Sequence, residues 1–557
     1  MALHTTPTPH GVVRVGMAQL NQIVGDLEGN RQRIEADYRK AVVAGCHVVV
    51  FPELATSGYP PEDLVLKPAF VQDNIASLHK FAQTTGECAA VVGFVHEEDG
   101  VLYNAAAMCH NGVVMHIYRK QLLPNYAVFD EDRYFEAGPQ RVSDQVPGLF
   151  HIAGVPVAMS VCEDIWWPDG PVARQAAEGA KINLNINASP FHDGKHHDRE
   201  EMLSDRARSS RCAIVYVNQV GGQDELLFDG SSVAFDATGK VVARAPSFVP
   251  DFRVVDIAVD GKLGNGDIEP FASDIDRMYD ALVLGTRDYV TKNGFRDVVI
   301  GLSGGIDSSI VAAIAVDALG AAHVHGVAMP SRYSSQGSLD DAQALAENLG
   351  IDYRVISIEP AFSQYLQMLS PSFEGRDPDL TEENLQSRCR GVTLMALSNK
   401  FNWMVLTTGN KSELAVGYFT IYGDSVGGYA VIKDVLKTQV FALSDHVNKR
   451  MGREIIPASV LTKPPSAELR PDQRDDQSLP PYEELDPILE LYVDGDKTVP
   501  EIIALGFDAG VVQRIARLVD VNEYKRRQCA PGARVSTKAF GKDRRMPITN
   551  GYRSGTI

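Results

Sequence analysis

The chain has 557 residues, enough for two large domains or for three to four domains of average size. Its 53 lysines and arginines stand against 72 aspartates and glutamates, so the formal net charge is −19. This acidic surplus argues against a protein that coats nucleic acid or binds anionic membranes through its overall charge. The seven cysteines are scattered and form no Cys-x-x-Cys pair, which argues against the usual zinc, thioredoxin and haem motifs.

Two further features bear on location. Residues 1–11 are rich in Thr, Pro and His and carry no apolar core, so we expect no signal peptide. No run approaches the roughly 18 apolar residues of a membrane helix, and scattered cysteines suit a reducing compartment. We therefore expect a cytoplasmic protein with neither membrane nor nucleic-acid partners.

The first half of the chain alternates strand and helix patterns. Apolar runs predict strands, and helical patterns that stop at glycine predict helices. Asp99-Gly100 is a strong turn signal, so the runs on either side predict an antiparallel hairpin. The predicted elements are strand 12–20, helix 30–45, strands 47–51, 89–97, 101–110, 113–119 and 155–161, helix 170–179, strand 182–188, helix 196–211, and strands 213–220 and 231–235.

The pattern loosens between Val254 and Asp274, most clearly in the Gly- and Asp-rich stretch 260–267. Such composition is typical of a linker, so we place a domain boundary near residue 268. The predicted domains are residues 1–268 and 269–557.

The second half shows the regular alternation of a doubly wound parallel sheet. Residues 462–481, rich in Pro, Asp and Gln, predict a loop, and the tail 525–557 carries nine Lys/Arg against one Asp. The predicted elements are strand 297–302, helix 308–319, strand 324–329, helix 338–349, strand 353–358, helix 383–400 and strand 403–407.

Three apolar strands of the first half each end on a reactive side chain, namely Glu53, Lys120 and Cys162. Ligands of α/β sheets collect at the carboxyl ends of strands, so the three side chains can share one site. Glu53 would act as the base that a thiol needs at neutral pH, and Lys120 would stabilise an oxyanion. The alternative is ordinary, because a strand-end cysteine is most often a small buried apolar residue and a strand-end Glu or Lys is usually solvated.

The blocks around these residues resemble the nitrilase/amidase superfamily. They are Phe51-Pro-Glu53-Leu54, residues 118–126 and Ser160-Val-Cys162-Glu-Asp164. The resemblance implies an αββα sandwich whose Glu53–Lys120–Cys162 triad hydrolyses amides through a thioester.

Two neighbouring blocks, residues 123–135 and 187–195, are similar to the glutaminase domain of the glutamine-dependent NAD+ synthetase family. This narrower resemblance implies that glutamine is bound by Tyr126, Ser189 and Lys195.

A second motif, Ser303-Gly-Gly-Ile-Asp307-Ser308, lies between a predicted strand and a predicted helix. Glycines let the backbone approach a phosphate, and a helix N-terminus offers free amides. No lysine precedes Ser308, so this is not a Walker A loop, and a capped helix after a tight turn is the ordinary alternative. The string resembles the ATP pyrophosphatases, which implies an adenine nucleotide alpha hydrolase-like, Rossmann-like fold. It also implies that ATP is bound by Gly301, Leu302, Ser303, Gly304, Gly305, Ile306, Asp307 and Ser308.

Later blocks extend this resemblance. Residues 407–413 look like the second block of the ATP pyrophosphatases, which implies that Thr408 contacts ATP. Asp307 and Glu413 offer the oxygen ligands that Mg²⁺ prefers. Residues 382–388 and 523–528 are similar to the NAD+ synthetase branch, which implies that Asn384, Glu413 and Lys525 contact deamido-NAD. Taken alone, residues 382–388 are typical of an ordinary polar helix face, and the basic tail is typical of a disordered polycation. We expect instead that the tail folds over a ligand that carries a pyrophosphate group.

Together the resemblances predict an ATP-dependent ligase with its own glutaminase. Its small-molecule substrates would be glutamine, ATP and deamido-NAD, with Mg²⁺, and ammonia would pass through a channel to the second site. A homo-oligomer is implied only by the family. The alternatives are another nitrilase-coupled amidotransferase acting on a different carboxylate or a tRNA base, and a non-catalytic scaffold.

Overall fold

A computed structural model describes residues 2–3, 11–143, 145–258, 266–471, 473–477 and 479–552. The chain divides into two compact units: the first runs to residue 273 without residues 224–226, and the second takes those three residues and continues from residue 274. Most of the stretch that predicts the domain boundary, residues 259–265, lies outside the described residues. None of the helices in the described ranges has both the length and the apolar character that crossing a bilayer requires.

In the described residues, the first unit contains two large sheets, one two-stranded sheet and four α-helices. The strands are β1 Ala2–Leu3, β2 Val12–Gln19, β3 Val48–Val50, β4 Ala89–Glu98, β5 Val101–His110, β6 Val113–Arg119, β7 Leu149–Ile152, β8 Val155–Val161, β9 Ile182–Asn187, β10 Ala213–Asn218, β11 Val220–Gln223, β12 Leu226–Asp229, β13 Val233–Phe235, β14 Val241–Arg244 and β15 Asp251–Ala258. The helices are α1 Leu27–Val43, α2 Pro68–Ala82, α3 Pro171–Ala177 and α4 Lys195–Ser210.

The two sheets pack face to face between layers of helices. One sheet has the order β15-β2-β3-β4-β5-β6, and the other has the order β1-β7-β8-β9-β10-β13-β14. Val48 and Val50 of the first sheet share a buried cluster with Leu184 of the second. The intervening Val49 packs on the other face with side chains of α1 and α2, as period-two alternation requires. The predicted αββα sandwich is therefore confirmed.

Most predicted elements of this unit are present, with shifted ends. The hairpin around Asp99-Gly100 is formed by β4 and β5. Helix α1 begins at Leu27 rather than at residue 30, because the Asp26 side chain accepts a hydrogen bond from Gly29 N–H and caps it. The prediction of loosened structure from Val254 onward is wrong as far as Ala258, because β15 continues to that residue as the antiparallel partner of β2.

The second unit contains one parallel sheet and twelve α-helices in the part of the chain that the structure describes. The strands are β16 Val298–Gly301, β17 Val324–Ala328, β18 Asp352–Val355, β19 Met404–Thr407 and β20 Tyr429–Ala430. The helices are α5 Asp274–Lys292, α6 Ile306–Leu319, α7 Gln336–Leu349, α8 Glu359–Phe373, α9 Leu380–Phe401, α10 Lys411–Val416, α11 Lys437–Met451, α12 Ala458–Thr462, α13 Tyr482–Leu489, α14 Val499–Ala504, α15 Ala509–Val521 and α16 Glu523–Arg526.

The strand order β18-β17-β16-β19-β20 confirms the predicted doubly wound sheet. Strand β16 pairs with β17 on one side and with β19 on the other, so the order reverses at β16. A reversal of this kind opens a crevice at the carboxyl ends of the strands, where ligands of such sheets bind. Residues 302–305, which join β16 to α6, lie at this point.

The loop and tail predictions have different outcomes. Between α12 and α13, the described residues of the predicted loop contain one short 3-10 turn, Asp475–Gln477, and otherwise no helix or strand. In the tail, Val535 and Phe540 are buried, and Arg534 pairs with Asp543. The described part of the tail is therefore packed, and the alternative of a disordered polycation is wrong there.

Candidate active sites

In the first unit, a buried lysine joins two carboxylates. The Lys120 ammonium, directly after β6, donates hydrogen bonds to Glu53 Oε1 at 2.8 Å and to Glu131 Oε1 at 2.9 Å. Glu53 also accepts from the Asn104 amide at 2.7 Å and from Ala188 N–H at 2.9 Å. Three donors to one side chain fix the Glu53 carboxylate in a single orientation.

Cys162 follows β8 directly and opens a 3-10 turn, Cys162–Ile165. Its φ of 44° lies in the left-handed region, which costs a non-glycine residue about 1–3 kcal/mol and is concentrated at functional sites. The thiol is buried and lies within electrostatic range of Glu53 and Lys120. The structure thus brings the three residues of the predicted triad together.

The charges of this site depend on its burial. Burial raises the pKa of the Cys162 thiol well above its usual range, the Glu53 carboxylate adds to this, and Lys120 opposes it. Burial disfavours the Lys120 ammonium, but Glu131 and Glu53 outweigh burial and raise the pKa of Lys120. The lysine is therefore charged at neutral pH, whereas the thiol needs a base before it can attack.

Two of the three residues predicted to bind glutamine, Tyr126 and Lys195, lie within electrostatic range of the thiol, and Ser189 lies next to the backbone that binds Glu53. The Tyr126 hydroxyl donates to Glu163 Oε2 at 3.0 Å, and its side chain is exposed. The Lys195 ammonium lies 4.1 Å from the centroid of the Trp166 ring, and both Tyr126 and Lys195 interact electrostatically with Cys162. Ser189 is buried one residue beyond the backbone amide that binds Glu53.

In the second unit, the loop after β16 borders a cavity of about 290 Å³. Gly304 has a φ of 74°, and a Cβ there would lie 2.1 Å from the Ser338 carbonyl oxygen, so the turn requires glycine. The predicted ATP residues that line the cavity are Gly301, Leu302, Ser303, Gly305, Ile306, Asp307, Ser308 and Thr408. Gly304 itself is not among the lining residues.

The two predicted metal ligands meet at one ammonium. Lys437, the first residue of α11, donates to Asp307 Oδ2 at 2.5 Å and to Glu413 Oε1 at 3.1 Å. Asp307 Oδ1 also accepts from the Asn410 amide at 2.8 Å. Burial raises the pKa of Glu413 to about 8, and Lys437 opposes that shift. The carboxylates of Asp307 and Glu413 therefore both bind the Lys437 ammonium at the edge of the cavity.

The remaining predicted deamido-NAD residues, Asn384 and Lys525, do not line the cavity. Both hold the segment that follows α10. Asn384 Oδ1 accepts from the Thr420 hydroxyl at 2.7 Å, and the Lys525 ammonium donates to the carbonyls of Gly417 and Phe419 at 2.9 and 3.3 Å. Phe419 does line the cavity, so Lys525 contacts the cavity through Phe419 rather than directly.

Two side chains of these sites did not emerge from sequence reasoning. Glu131 lies in a short 3-10 turn of a segment without periodicity, and only its place inside the family-like block 123–135 marks it. Lys437 reaches Asp307 across 130 sequence positions, a separation that no local pattern records.

Comparisons with known proteins agree with this two-unit arrangement. Residues 14–261 match the carbon-nitrogen hydrolase family, and residues 278–529 match the NAD synthase family. A protein of Thermotoga maritima named glutamine-dependent NAD(+) synthetase is 46% identical over 97% of this chain and 99% of its own length. A protein of the same name from Xanthomonas campestris pv. campestris is 48% identical over 99% of both chains.

Solved structures show the same likeness. The glutamine-dependent NAD+ synthetase of Acinetobacter baumannii, solved in complex with ADP, matches with a TM-score of 0.78 and 41% identity, over 98% of this chain and all of that one. The enzyme of the same name from Cytophaga hutchinsonii has a TM-score of 0.84 at 23% identity, over 97% of this chain and 98% of its own, and supports the fold alone.

Proposed function

Because the chain belongs to the glutamine-dependent NAD+ synthetase family, we propose that it makes NAD+ from deamido-NAD, ATP and glutamine at two chemically separate sites. One observation carries the proposal. Glu53, Lys120 and Cys162 converge in a carbon-nitrogen hydrolase unit, while the other unit carries the Ser303–Ser308 loop at the switch point of a parallel sheet.

In the first unit, Cys162 is the proposed nucleophile. Glu53 takes the thiol proton, and the sulfur attacks the carboxamide carbon of glutamine. The Lys120 ammonium donates to the oxyanion that forms, and the proton on Glu53 leaves with ammonia. Glu53 then deprotonates water, which hydrolyses the thioester to glutamate.

Glutamine would be recognised by Tyr126, Ser189 and Lys195. The Lys195 ammonium is a suitable partner for the α-carboxylate, because it lies over the Trp166 ring and forms no salt bridge with a carboxylate of the described residues. Glu163, which holds the Tyr126 hydroxyl, offers a carboxylate for the α-ammonium.

In the second unit, residues 301–308 and Thr408 would bind ATP. The amides at the start of α6 suit the phosphates, and the nicotinate carboxylate of deamido-NAD attacks the α-phosphorus with release of pyrophosphate. Ammonia then attacks the acyl-adenylate carbon, AMP leaves, and NAD+ remains. Asn384, Glu413 and Lys525 are the proposed deamido-NAD residues. The contacts of Asn384 and Lys525 with the segment 417–420 support a role in shaping the cavity wall.

Mg²⁺ is the proposed metal, and Asp307 and Glu413 would hold it. Their oxygen atoms suit Mg²⁺, and the pair already gathers around the ammonium of Lys437. When bound, the metal would neutralise phosphate charge.

Assembly into homo-oligomers and transfer of ammonia through a channel are proposed from the resemblance to the family alone. The seven free thiols support a reducing, cytoplasmic setting.

The rival function is amidation of another carboxylate by the same two modules. In both functions the Cys162 thiol takes part only in glutamine hydrolysis, so Cys162→Ala tests the chemistry that the two functions have in common. An assay that identifies the amidated product distinguishes NAD+ synthesis from amidation of another carboxylate. The variant should lose glutamine-dependent NAD+ formation by up to about 10⁶-fold, yet keep synthesis from excess ammonium salt. Cys88→Ala, at another buried thiol, should behave like the parent.

A Cys162→Ala protein that uses glutamine at the parental rate would refute the amidase assignment. A folded variant that uses neither nitrogen source would refute the separation of the two sites.

A further inference from the structure

The carboxylate of Asp164 is buried beneath the glutaminase site and binds the chain segment that carries Lys120. Its Oδ1 accepts hydrogen bonds from the backbone N–H groups of Gln121 and Leu122, each at 3.0 Å. Its Oδ2 accepts from the Tyr118 hydroxyl at 2.9 Å. Asp164 therefore holds the chain on both sides of Lys120.

The same carboxylate also holds the chain at the nucleophile. Oδ2 accepts from Val161 N–H at 3.0 Å, directly before Cys162, and Asp164 itself lies two residues after the cysteine in the 3-10 turn. This turn keeps Cys162 at its left-handed φ of 44°. A strained backbone persists only where its surroundings fix it, and here the Asp164 carboxylate is one of the groups that do so.

We propose that Asp164 is a positioning residue for glutamine hydrolysis, which fixes the Cys162 thiol relative to the Lys120 ammonium. The inference rests on the proposed function, because the distance it fixes matters only if thiol and ammonium act on one substrate. In the described residues, no other side-chain carboxylate accepts hydrogen bonds both from the backbone next to Lys120 and from the backbone next to Cys162.

Asparagine at this position breaks the arrangement for a specific reason. Three of the four donors are backbone N–H groups, which cannot become acceptors. The single carbonyl oxygen of asparagine can serve one pair of donors, so its NH₂ group must face at least one backbone N–H. That donor is left buried and unpaired, and the segment bearing it must shift. Burial raises the pKa of Asp164 to about 6, while its hydrogen bonds oppose that shift, so at neutral pH the native group is an acceptor only.

The test compares Asp164→Asn with the parent in two reactions of the same full-length enzyme. The kcat for glutamine hydrolysis should fall about 100-fold, the scale of a misplacement of about 1 Å, with KM changed by less than about threefold. Ammonia-dependent NAD+ synthesis should stay at the parental rate, because that site lies in the other unit. A merely structural role would move stability but not this split between kcat and KM.

Alkylation of Cys162 by iodoacetamide, followed by peptide mass spectrometry, gives a readout that needs no glutamine. Its rate should fall about tenfold in Asp164→Asn, since the thiolate would lose its place beside the ammonium. Asp37→Asn, at a buried carboxylate of α1 in the same unit, is the matched control and should leave both readouts unchanged. Should the parent fail to hydrolyse glutamine, the proposed function falls, while the alkylation comparison still decides whether Asp164 positions the thiol beside the ammonium.

Tyr118→Phe removes one donor and keeps the carboxylate, so it covers the case in which Asp164→Asn does not fold. It should lower the glutaminase kcat by about three- to tenfold without changing KM, the effect of one lost hydrogen bond. Parental kcat and alkylation rate in the folded Asp164→Asn protein, or in Tyr118→Phe if that protein does not fold, would overturn the proposal. Equal loss of both nitrogen sources would also overturn it.

Discussion

The ammonium of Lys120 lies as close to Glu131 as to Glu53, with hydrogen bonds of 2.9 and 2.8 Å. Glu131 also accepts from the Tyr59 hydroxyl at 3.0 Å, and all of these side chains are buried. One cation therefore faces two carboxylates. When both are ionised, the group keeps a net negative charge next to Cys162, and this charge opposes formation of a thiolate. The Lys120 ammonium offsets part of this effect, so the thiol can pass its proton to a carboxylate while Lys120 stays charged.

Glu131→Gln should lower the kcat for glutamine hydrolysis by about 100-fold, because Lys120 loses one of the two charges that fix its position. Burial raises the pKa of Glu131 to about 7, with Lys120 opposing that shift, so the parent gains this charge as the pH rises through neutrality. The parental glutaminase rate should therefore rise between about pH 6 and 8, and the variant should lose that rise. Steady-state glutaminase assays across this range provide the measurement.

Asp132→Asn is the matched control, because Asp132 is the exposed neighbour of Glu131 in the same turn. It should keep both the rate and its pH dependence. A Glu131→Gln enzyme with the parental rate at every pH would show that Lys120 is sufficiently held by Glu53 alone.

Asp307→Asn should abolish NAD+ synthesis with either glutamine or ammonia. Asp307 is the proposed metal ligand and also the 2.5 Å partner of Lys437, and loss of metal-stabilised charge costs on the order of 10³-fold or more in rate. Glutamine hydrolysis assayed alone should survive. Asp340→Asn, at an exposed position of α7, is the control. Near-normal ammonia-dependent synthesis in Asp307→Asn would contradict the metal assignment.

Lys525→Met should weaken deamido-NAD binding by about 10- to 100-fold, the range for a lost hydrogen bond to a charged group, with a smaller effect on ATP. The point variant is preferable to removal of the tail, because buried Val535 and Phe540 would be lost with it. Lys542→Met, at an exposed tail position, is the matched control. The KM values for the two substrates provide the measurement, and an unchanged KM for deamido-NAD would leave Lys525 with a structural role in holding residues 417–419.

Short sequence patterns predict those features of the structure that depend on residues close together in the chain. Asp99-Gly100 marks the β4–β5 hairpin because a tight turn needs those residue types, and the glycines after β16 mark a turn that a Cβ at Gly304 would obstruct. The fold class follows because alternation and helical periodicity are properties of short stretches. The roles of the candidate site residues stay predictions, although the structure brings the triad together.

Strand pairings and salt bridges between residues far apart in the sequence cannot be predicted from such patterns. Strand β15 forms because residue 251 meets Gln19 across the sheet, and nothing near residue 251 signals that partner. The positive charge of the tail, taken alone, indicates a disordered polycation, yet Arg544 forms a salt bridge with Glu523 and Arg534 forms one with Asp543. Charge counts describe composition, whereas the partners that neutralise those charges are set by tertiary structure.

The most direct test of the central claim follows the nitrogen atom. The parent enzyme is supplied with deamido-NAD, ATP, Mg²⁺ and glutamine labelled with ¹⁵N in the side-chain amide, together with a small amount of unlabelled ammonium salt. Mass spectrometry of the product should show NAD+ whose carboxamide carries ¹⁵N, formed in step with glutamate, AMP and pyrophosphate. If no NAD+ forms, or if it carries only unlabelled nitrogen while glutamine remains intact, glutamine-dependent NAD+ synthesis by this chain is contradicted.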